Sequence, residues 1–318
     1  MGLTLIFSFI ISSIVTPLMI LLGKRFHLLD KPGGLKGHKE PVPFLGGIGI
    51  FIALMLNKNL YTSPLILTSL IIIFLLGFID DLKHLSPYTK LAVQFLVAGI
   101  LVYSGIRTRL VFIPEWANIV LSILWIVGIT NAFNIIDVMD GISGGVALIG
   151  STTFMLLALK TGNLKIALFS GTLMAGILGF LPYNLPPARI FLGDTGSLVI
   201  GLVLSIISLE ISYSMINPVA VLVPIFVLFF PIFDTLYVVS IRLARRKNPL
   251  KGSPDHFVLK LRKQGLGVPE IDAIVLLLTI SLCEASYIVT GVGLKGAIVV
   301  LLVISAIFTL FGVILHKR

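Results

Sequence analysis

The sequence Asn131-Ala-Phe-Asn134-Ile-Ile-Asp137-Val-Met-Asp140-Gly141 places two amides and two carboxylates in a chain that is otherwise almost continuously apolar. An acidic residue at the centre of a membrane helix costs about 2.5 to 3.5 kcal/mol even on the lenient insertion scale, so four such polar groups indicate a use or a set of partners. A spacing of three residues turns each successive side chain back by about 60° on a helix. The four side chains therefore form one slowly drifting stripe that can face a single ligand.

The composition of the whole chain is that of a membrane protein. Hydrophobic residues make up 57% of its 318 residues and charged residues only 12%, with a mean hydropathy of +1.09. A soluble domain of this length needs more polar residues to cover its surface. We predict an all-α, polytopic integral membrane protein with about 10–11 transmembrane helices of about 20 residues each. The apolar runs lie near 3–23, 42–57, 64–80, 90–105, 117–135, 141–159, 164–183, 196–214, 217–240, 271–290 and 294–315.

Lysine and arginine are concentrated after the first and the ninth apolar runs. The positive-inside rule places both of these connections in the cytoplasm, with the N-terminus outside and the C-terminus inside. The sequence shows neither a fixed-period repeat nor the paired interrupted helices of inverted-repeat transporters. We therefore predict one helical membrane domain over 1–318. Its predicted cytoplasmic loops lie near 24–43, 81–90, 136–141, 184–196 and 241–270.

The strongest polar clusters all fall on connections predicted to face the cytoplasm. In chain order they are the loop with His38 and Lys39, the pair Asp80 and Asp81, the stretch 131–140, Asp194, and the pair Asp255 and His256. Hydropathy takes no account of chemistry, so this convergence independently supports a single active site on the cytoplasmic face.

Asp80 and Asp81 end one apolar run, and Lys90 stands just before the next. Adjacent residues on a helix point about 100° apart, so both acids meet one ligand only at a helix terminus or beside a cation. A solvated helix end explains the acids without a site, and a snorkelling interfacial lysine explains Lys90. A lysine beside an acidic pair can also hold a phosphate while a metal offsets the carboxylates.

Asp194 lies between Gly193 and Gly196, just before the eighth run. Capping of a helix N-terminus explains this residue without catalysis. The alternative is a ligand for a hard cation, because Mg²⁺ takes one or two protein oxygens together with substrate phosphates.

The ninth connection and its flanking spans contain the remaining candidates. A polybasic segment beside a membrane is most often attracted to anionic lipid, and His256 is a lone histidine within it. For Asp234, inside the ninth run, we expect structural pairing with an arginine or tyrosine neighbour such as Tyr237.

These motifs, in this order, resemble those of the polyprenyl-phosphate N-acetylhexosamine-1-phosphate transferases, the superfamily of the peptidoglycan translocase and the bacterial GlcNAc-1-phosphate transferases. The resemblance spans most of the chain. It is carried by Asp30-Lys-Pro with His38-Lys-Glu-Pro-Val-Pro43 and Gly46-Gly47, by Asp80-Asp81 with Lys90, by Asn131 to Gly141, by Phe191 to Ser197, and by Ser253-Pro-Asp-His256.

The resemblance implies a multi-pass enzyme of the cell (inner) membrane that transfers a HexNAc-1-phosphate from a UDP-sugar to undecaprenyl phosphate and releases UMP. It implies Mg²⁺ as the cofactor, with Mn²⁺ as the alternative ion. The implied partners are the UDP-sugar donor, undecaprenyl phosphate and membrane lipids, with no nucleic acid and with a homodimer left open. By matched position, the implied roles are metal ligands for Asn134 and Asp194, catalysis for Asp80, Asp81 and Asp137, and substrate binding for Lys90, Asn131, Asp140 and His256.

Two departures from the family pattern leave the donor open. Val138 stands where the pattern Asp-Gly-x-Asp-Gly has glycine, and the ninth connection has one histidine in place of a cluster. GlcNAc-1-phosphate is the favoured group, and UDP-GalNAc and UDP-MurNAc-pentapeptide are the alternative donors. An ion-coupled transporter is the competing class of function. It is disfavoured because transporters gather polar groups at the membrane midplane, whereas here the clusters lie at one set of span ends.

Overall fold

The apolar runs of the sequence form helices in the computed structural model. It describes residues 1–33, 40–56, 63–211, 221–249 and 253–317, so His38 and Lys39 lie outside the described residues. The regular secondary structure of the described chain is helical apart from one antiparallel pair of two-residue strands, which confirms the predicted all-α membrane fold class. It divides into two compact units, Met1–Ile211 and Ser212–Arg318, which are described in turn. The single domain and the orientation across the membrane stay predictions.

The first unit is built around one deeply buried helix, α8. In the most apolar stretch of α8 83% of the residues are buried, against 17% in that of α1, so α8 is a core helix and α1 a peripheral one. The elements of this unit are α1 (Gly2–Arg25), β1 (Leu29–Asp30), β2 (Val42–Pro43), α2 (Gly47–Met55), α3 (Pro64–Lys83), α4 (Pro87–Tyr103), α5 (Glu115–Ile135), α6 (Ile142–Lys160), α7 (Leu164–Asn184) and α8 (Gly193–Glu210). Strands β1 and β2 pair antiparallel, with Leu29 opposite Pro43.

The second unit shows why the ninth apolar run is not one helix. Its elements are α9 (Val223–Val227), α10 (Phe229–Ala244), α11 (Phe257–Lys263), α12 (Val268–Gly291) and α13 (Leu294–Lys317). Pro231 has no N–H to donate to the carbonyl oxygen of Val227, and the helix is interrupted at Leu228. Phe226, Val289 and Ala297 form a buried core cluster of this unit.

Seven helices of the described chain are long and apolar enough to cross a membrane: α1, α3, α5, α6, α7, α8 and α12. Helix α4 and the apolar part of α13 are shorter. The second predicted run, 42–57, gives only the nine residues of α2. At 1.5 Å per residue this helix is about 14 Å long, roughly half of the hydrocarbon core. In the structure, the helix formed by this run is therefore too short to cross the membrane.

Serine side chains cap the N-termini of both α3 and α4. Ser63 Oγ accepts the N–H of Leu65 at 3.2 Å, and Ser86 Oγ accepts the N–H of Thr89 at 3.1 Å. A proline follows each serine as the first helical residue, where its missing N–H costs nothing. Only residues 84–86 separate the two helices. The end of α3, with its acids, therefore lies close to Lys90 in the first turn of α4.

The N-terminus of α8 is capped by a side chain from α3. Asp81 accepts the N–H groups of Asp194 at 2.8 Å and Thr195 at 3.0 Å, and the Thr195 hydroxyl at 2.6 Å. Helix α8 has no side-chain cap of its own at Leu192. A carboxylate at this position satisfies N–H groups left without partners by the helix and interacts favourably with its dipole. Asp194 is therefore not the cap that its flanking glycines suggested; its own N–H is capped.

Two glycines let α3 and the start of α8 come this close. A Cβ added to Gly77 would lie 2.6 Å from the carbonyl oxygen of Asp194 and from the Cα of Thr195. Gly193 has φ = +73°, a conformation that favours glycine, and a Cβ there would lie 2.7 Å from Asp81 Oδ2. The cap thus depends on the absence of two side chains.

Gly77→Ala tests this packing, because the added methyl group would contact the backbone of α8 while Ala is the better helix former. We expect a clear fall in the thermal unfolding midpoint of the detergent-solubilised protein. Gly99→Ala in α4 is the matched control, since no atom beyond the adjoining backbone of its own helix lies within 4 Å of its Cβ position. The control should be neutral or stabilising, by up to about 1 kcal/mol. Equal midpoints for the two variants would contradict the close approach.

Candidate active site

A cavity of about 540 Å³ lies in the first unit where α3, α8 and the end of α5 meet. Five of the predicted site residues line it: Asp80, Asp81, Asn134, Asp137 and Asp194. They come from three segments far apart in the sequence. The structure therefore brings together the acids and the amide for which the family resemblance implies catalysis and metal binding.

Lys90 bridges the carboxylates of two helices beside this cavity. Its Nζ donates to Asp80 Oδ2 at 2.6 Å and to Asp194 Oδ2 at 2.5 Å, and its side chain is only 16% exposed. Asp80 Oδ1 also accepts the N–H of Leu85 at 2.6 Å. One partly buried cation thus holds α3, α4 and α8 together at the cavity, which is more than a snorkelling interfacial lysine would do.

Asn134 connects α5 to the first turns of α8. Its Nδ2 donates to Ser197 Oγ at 3.0 Å, so the amide is oriented by a residue one turn beyond Asp194. The Asp194 side chain is 30% exposed, and Asp137 lines the same cavity. The atoms available to bind a metal are therefore carboxylate and amide oxygens, the hard ligands that Mg²⁺ prefers.

The oxygen atoms at the cavity fit the magnesium ion that the resemblance implies. Within the described ranges, no three His, Cys, Asp or Glu side chains are grouped as a ready-made metal site. Mg²⁺ commonly takes one or two protein oxygens and fills its other positions with water and substrate phosphates. Asp194 and Asn134 can supply those two protein oxygens.

Two predicted substrate-binding residues make contacts away from the cavity lining. Asn131 Nδ2 donates to Gln94 Oε1 and, at 2.9 Å, to the carbonyl oxygen of Val127, which ties α5 to α4. Asp140 Oδ2 accepts the N–H of Ala188 at 2.9 Å, which ties the turn after α5 to the loop before α8. Substrate binding by Asn131 and Asp140 stays a prediction.

Asn184, for which the sequence indicated no role, holds in place the loop that leads to Asp194. Its Oδ1 accepts the N–H of Gly141 at 3.2 Å, and its Nδ2 donates to the carbonyl oxygen of Ile190 at 2.9 Å. The sequence contained one signal for this residue, an amide side chain at the end of an apolar run and shortly before two prolines. Further cavity-lining residues that the sequence did not single out are Leu29, Phe44 and His84, and Asp30 and Lys31 of the first family motif line the cavity as well.

His256 belongs to the second unit and is almost completely buried there. Its Nδ1 lies 2.8 Å from Asp234 Oδ2. The expected partner of Asp234 was an arginine or tyrosine neighbour such as Tyr237, so this expectation misses the histidine that binds it. The partner lies 22 residues away, across a connection whose path the sequence does not reveal.

The residue before His256 is held by a separate set of contacts. Asp255 accepts the Ser253 hydroxyl at 2.8 Å and pairs with Arg245 at 3.0 Å. Burial acts to raise the pKa of the Asp255 carboxyl, but the Ser253 hydroxyl and the positive charge of Arg245 outweigh it and hold that pKa below its usual value. These two contacts of Asp255 therefore hold in place the segment that carries His256.

The chain is similar to proteins of known family over nearly its whole length. Residues 63–212 match the model of a family described as Glycosyl transferase family 4. A Bacillus subtilis protein named "Probable undecaprenyl-phosphate N-acetylglucosaminyl 1-phosphate transferase" is 33% identical over 96% of this chain and 87% of its own length.

Two further relatives carry related names. The Thermotoga maritima undecaprenyl-phosphate alpha-N-acetylglucosaminyl 1-phosphate transferase is 34% identical over 77% of this chain and 76% of its own length. The phospho-N-acetylmuramoyl-pentapeptide-transferase of Halalkalibacterium halodurans is 33% identical over 63% of this chain and 71% of its own length. The expected resemblance is confirmed: the chain belongs to glycosyl transferase family 4, within the superfamily of polyprenyl-phosphate N-acetylhexosamine-1-phosphate transferases.

Proposed function

We propose that the protein transfers GlcNAc-1-phosphate from UDP-GlcNAc to undecaprenyl phosphate, giving undecaprenyl-diphospho-GlcNAc and UMP. The observation that carries the proposal is the meeting of Asp80, Asp194 and Asn134 at one cavity, with Lys90 bridging the two acids. A positively charged lysine beside carboxylate and amide oxygens suits a diphosphate substrate, because the negative charge of the diphosphate needs compensation.

The choice of donor is supported by how far the relatives align. The two relatives named for N-acetylglucosaminyl 1-phosphate transfer cover 96% and 77% of the chain, against 63% for the pentapeptide transferase. UDP-GalNAc and UDP-MurNAc-pentapeptide stay the alternative donors. The lone His256 in the ninth connection is the feature that keeps them open.

We place the enzyme in the inner membrane with the cavity at the cytoplasmic face. The support is the positive-inside pattern of the sequence and the position of the cavity acids at the end of α3 and the start of α8. Both ends were predicted from charge alone to face the cytoplasm. A UDP-sugar made in the cytoplasm would then reach the cavity without crossing the membrane.

The first barrier of the proposed reaction is the repulsion between two anions. A phosphate oxygen of the acceptor attacks the β-phosphorus of the donor, and the bond from that phosphorus to the bridging oxygen breaks, with its electron pair leaving on UMP. Lys90 places positive charge beside this centre. When bound at Asp194 and Asn134, Mg²⁺ would supply further compensation of the diphosphate charge.

A general base is scarcely needed for this attack. A phosphate monoester has a second pKa near 6, so about 90% of the acceptor is a dianion at pH 7. Asp80 is engaged by Lys90 and Leu85, and Asp81 by three donors at the start of α8. We therefore assign these two acids to positioning rather than to obligatory proton removal.

The test of function is incubation of the purified protein with labelled UDP-GlcNAc, undecaprenyl phosphate and Mg²⁺. We expect butanol-extractable sugar and an equal amount of released UMP, and loss of both with EDTA. UDP-GalNAc and UDP-MurNAc-pentapeptide, assayed in parallel, identify the donor. Activity that survives EDTA, or that is unchanged in Asp194→Asn, would contradict the metal assignment.

Lys90→Gln tests the role of the bridging cation, because it leaves Asp80 and Asp194 facing each other without a counter-charge. We expect the turnover number to fall by about 100-fold or more, the usual cost of losing one preorganised electrostatic contact. The matched control is Lys83→Gln, which removes an exposed charge at the end of α3. Equal activities in the two variants would show that Lys90 is not part of the site.

A single displacement predicts that donor alone produces neither free UMP nor a modified enzyme. The competing route passes through a covalent aspartyl phosphate and predicts ping-pong kinetics. Incubation with donor labelled in the β-phosphate, followed by acid quench and protein mass analysis, separates the two. Recovery, without acceptor, of an enzyme that carries the labelled GlcNAc-1-phosphoryl group on an aspartate would overturn the single displacement.

A further inference from the structure

The second unit contains a buried acid–histidine pair. Asp234, on α10, is 1% exposed, and His256, immediately before α11, is 4% exposed. Burying a carboxylate is costly unless hydrogen bonds satisfy its oxygens. Both oxygens of Asp234 are satisfied by one short segment: Oδ2 by Nδ1 of His256 at 2.8 Å, and Oδ1 by the N–H of Phe257 at 2.8 Å.

These two contacts fix both the position and the orientation of the imidazole. The bond to the Phe257 N–H holds the backbone next to His256, where α11 has no side-chain cap. The bond to Nδ1 then sets the direction of the ring. Phe230 and Phe233 pack edge-on against Phe257, with ring centroids 6.2 and 5.7 Å away, so the same segment is also held by apolar contacts.

The pair also determines which ring nitrogen carries the proton. An ionised carboxylate only accepts hydrogen bonds, so a neutral His256 must have its proton on Nδ1. Nε2 is then the nitrogen with a free lone pair, directed away from Asp234. A partner on one ring nitrogen commonly sets the tautomer and direction of a histidine whose other nitrogen binds a ligand.

We propose that Asp234 is a positioning residue for His256, which it holds as the Nδ1–H tautomer so that the Nε2 lone pair is left to accept a hydrogen bond from a hydroxyl or amide N–H group of the donor sugar. This inference rests on the proposed function and on the predicted role of His256 in binding the UDP-sugar. Asp234 itself touches no substrate. Its effect on the reaction passes entirely through the histidine.

The decisive variant is Asp234→Asn. Asparagine keeps an oxygen that can accept the Phe257 N–H, but it can present an amide N–H to Nδ1 in place of a carboxylate oxygen. A neutral ring must then accept at Nδ1, which moves its proton to Nε2. The variant therefore retains the backbone contact while reversing the tautomer, and Asp234→Glu serves as the conservative variant that keeps the carboxylate.

The first readout is independent of activity. We expect the ¹⁵N spectrum of protein labelled in histidine to show a His256 ring protonated at Nδ1 in the wild type and at Nε2 in Asp234→Asn, with the signal assigned by its loss in His256→Gln. A wild-type ring protonated at Nε2 would overturn the proposal, whether or not the variants fold. This readout also separates failure of the inference from failure of the proposed function, which would show as absent transfer in the wild type.

The second readout is the split between kinetic constants. We expect Asp234→Asn to raise KM for the UDP-sugar or lower kcat by about 10-fold or more, with KM for undecaprenyl phosphate and the unfolding midpoint little changed. Asp234→Glu should recover part of the loss. Glu270→Gln, which removes an exposed acid at the start of α12, is the control and should behave as the wild type.

A double variant tests whether Asp234 acts through His256. Asp234→Asn combined with His256→Gln should be no worse than His256→Gln alone, because contacting residues of one unit are not additive. Additive losses would show that Asp234 has a separate role and would overturn the proposal. So would wild-type kinetics in an Asp234→Asn protein whose tautomer has switched.

Discussion

The first unit depends on one constraint: the backbone N–H groups at the N-terminus of its most buried helix need hydrogen-bond acceptors. In an apolar environment each unpaired backbone N–H costs several kcal/mol, and α8 has no cap of its own. Asp81 supplies the missing acceptors from α3. Because the capped N–H groups belong to Asp194 and Thr195, the same hydrogen bonds that cap the start of α8 also place Asp194 at the cavity.

The charges at the cavity follow from that placement. Once α8 begins beside Asp81, the Asp194 carboxylate lies near Asp80, and Lys90 bridges the two. One lysine does not neutralise three neighbouring aspartates, and the surplus negative charge is what a divalent cation would offset. The same residues therefore serve the fold and the proposed reaction. The acids that join three helices are also the acids that would orient a metal and a diphosphate.

Sequence alone predicted the elements well and the contacts between them unevenly. Apolar runs located the helices, and the clustering of acids at span ends anticipated the cavity that Asp80, Asn134 and Asp194 line. It could not show that Asp81 caps α8, because a helix cap normally comes from the adjacent sequence. Nor could it pair Asp234 with His256, since that contact depends on how a 12-residue connection folds back onto α10, which periodicity does not encode.

Hydrogen exchange at the start of α8 tests the central claim most directly. In the detergent-solubilised wild type, the amides of Asp194 and Thr195 should exchange as slowly as the interior of the helix. In Asp81→Ala they should exchange much faster, while peptides from α6 keep their protection, because the hydrogen bonds described for Asp81 all go to the start of α8. Unchanged protection at these two amides in Asp81→Ala would contradict the cross-helix cap and the arrangement of the site that depends on it.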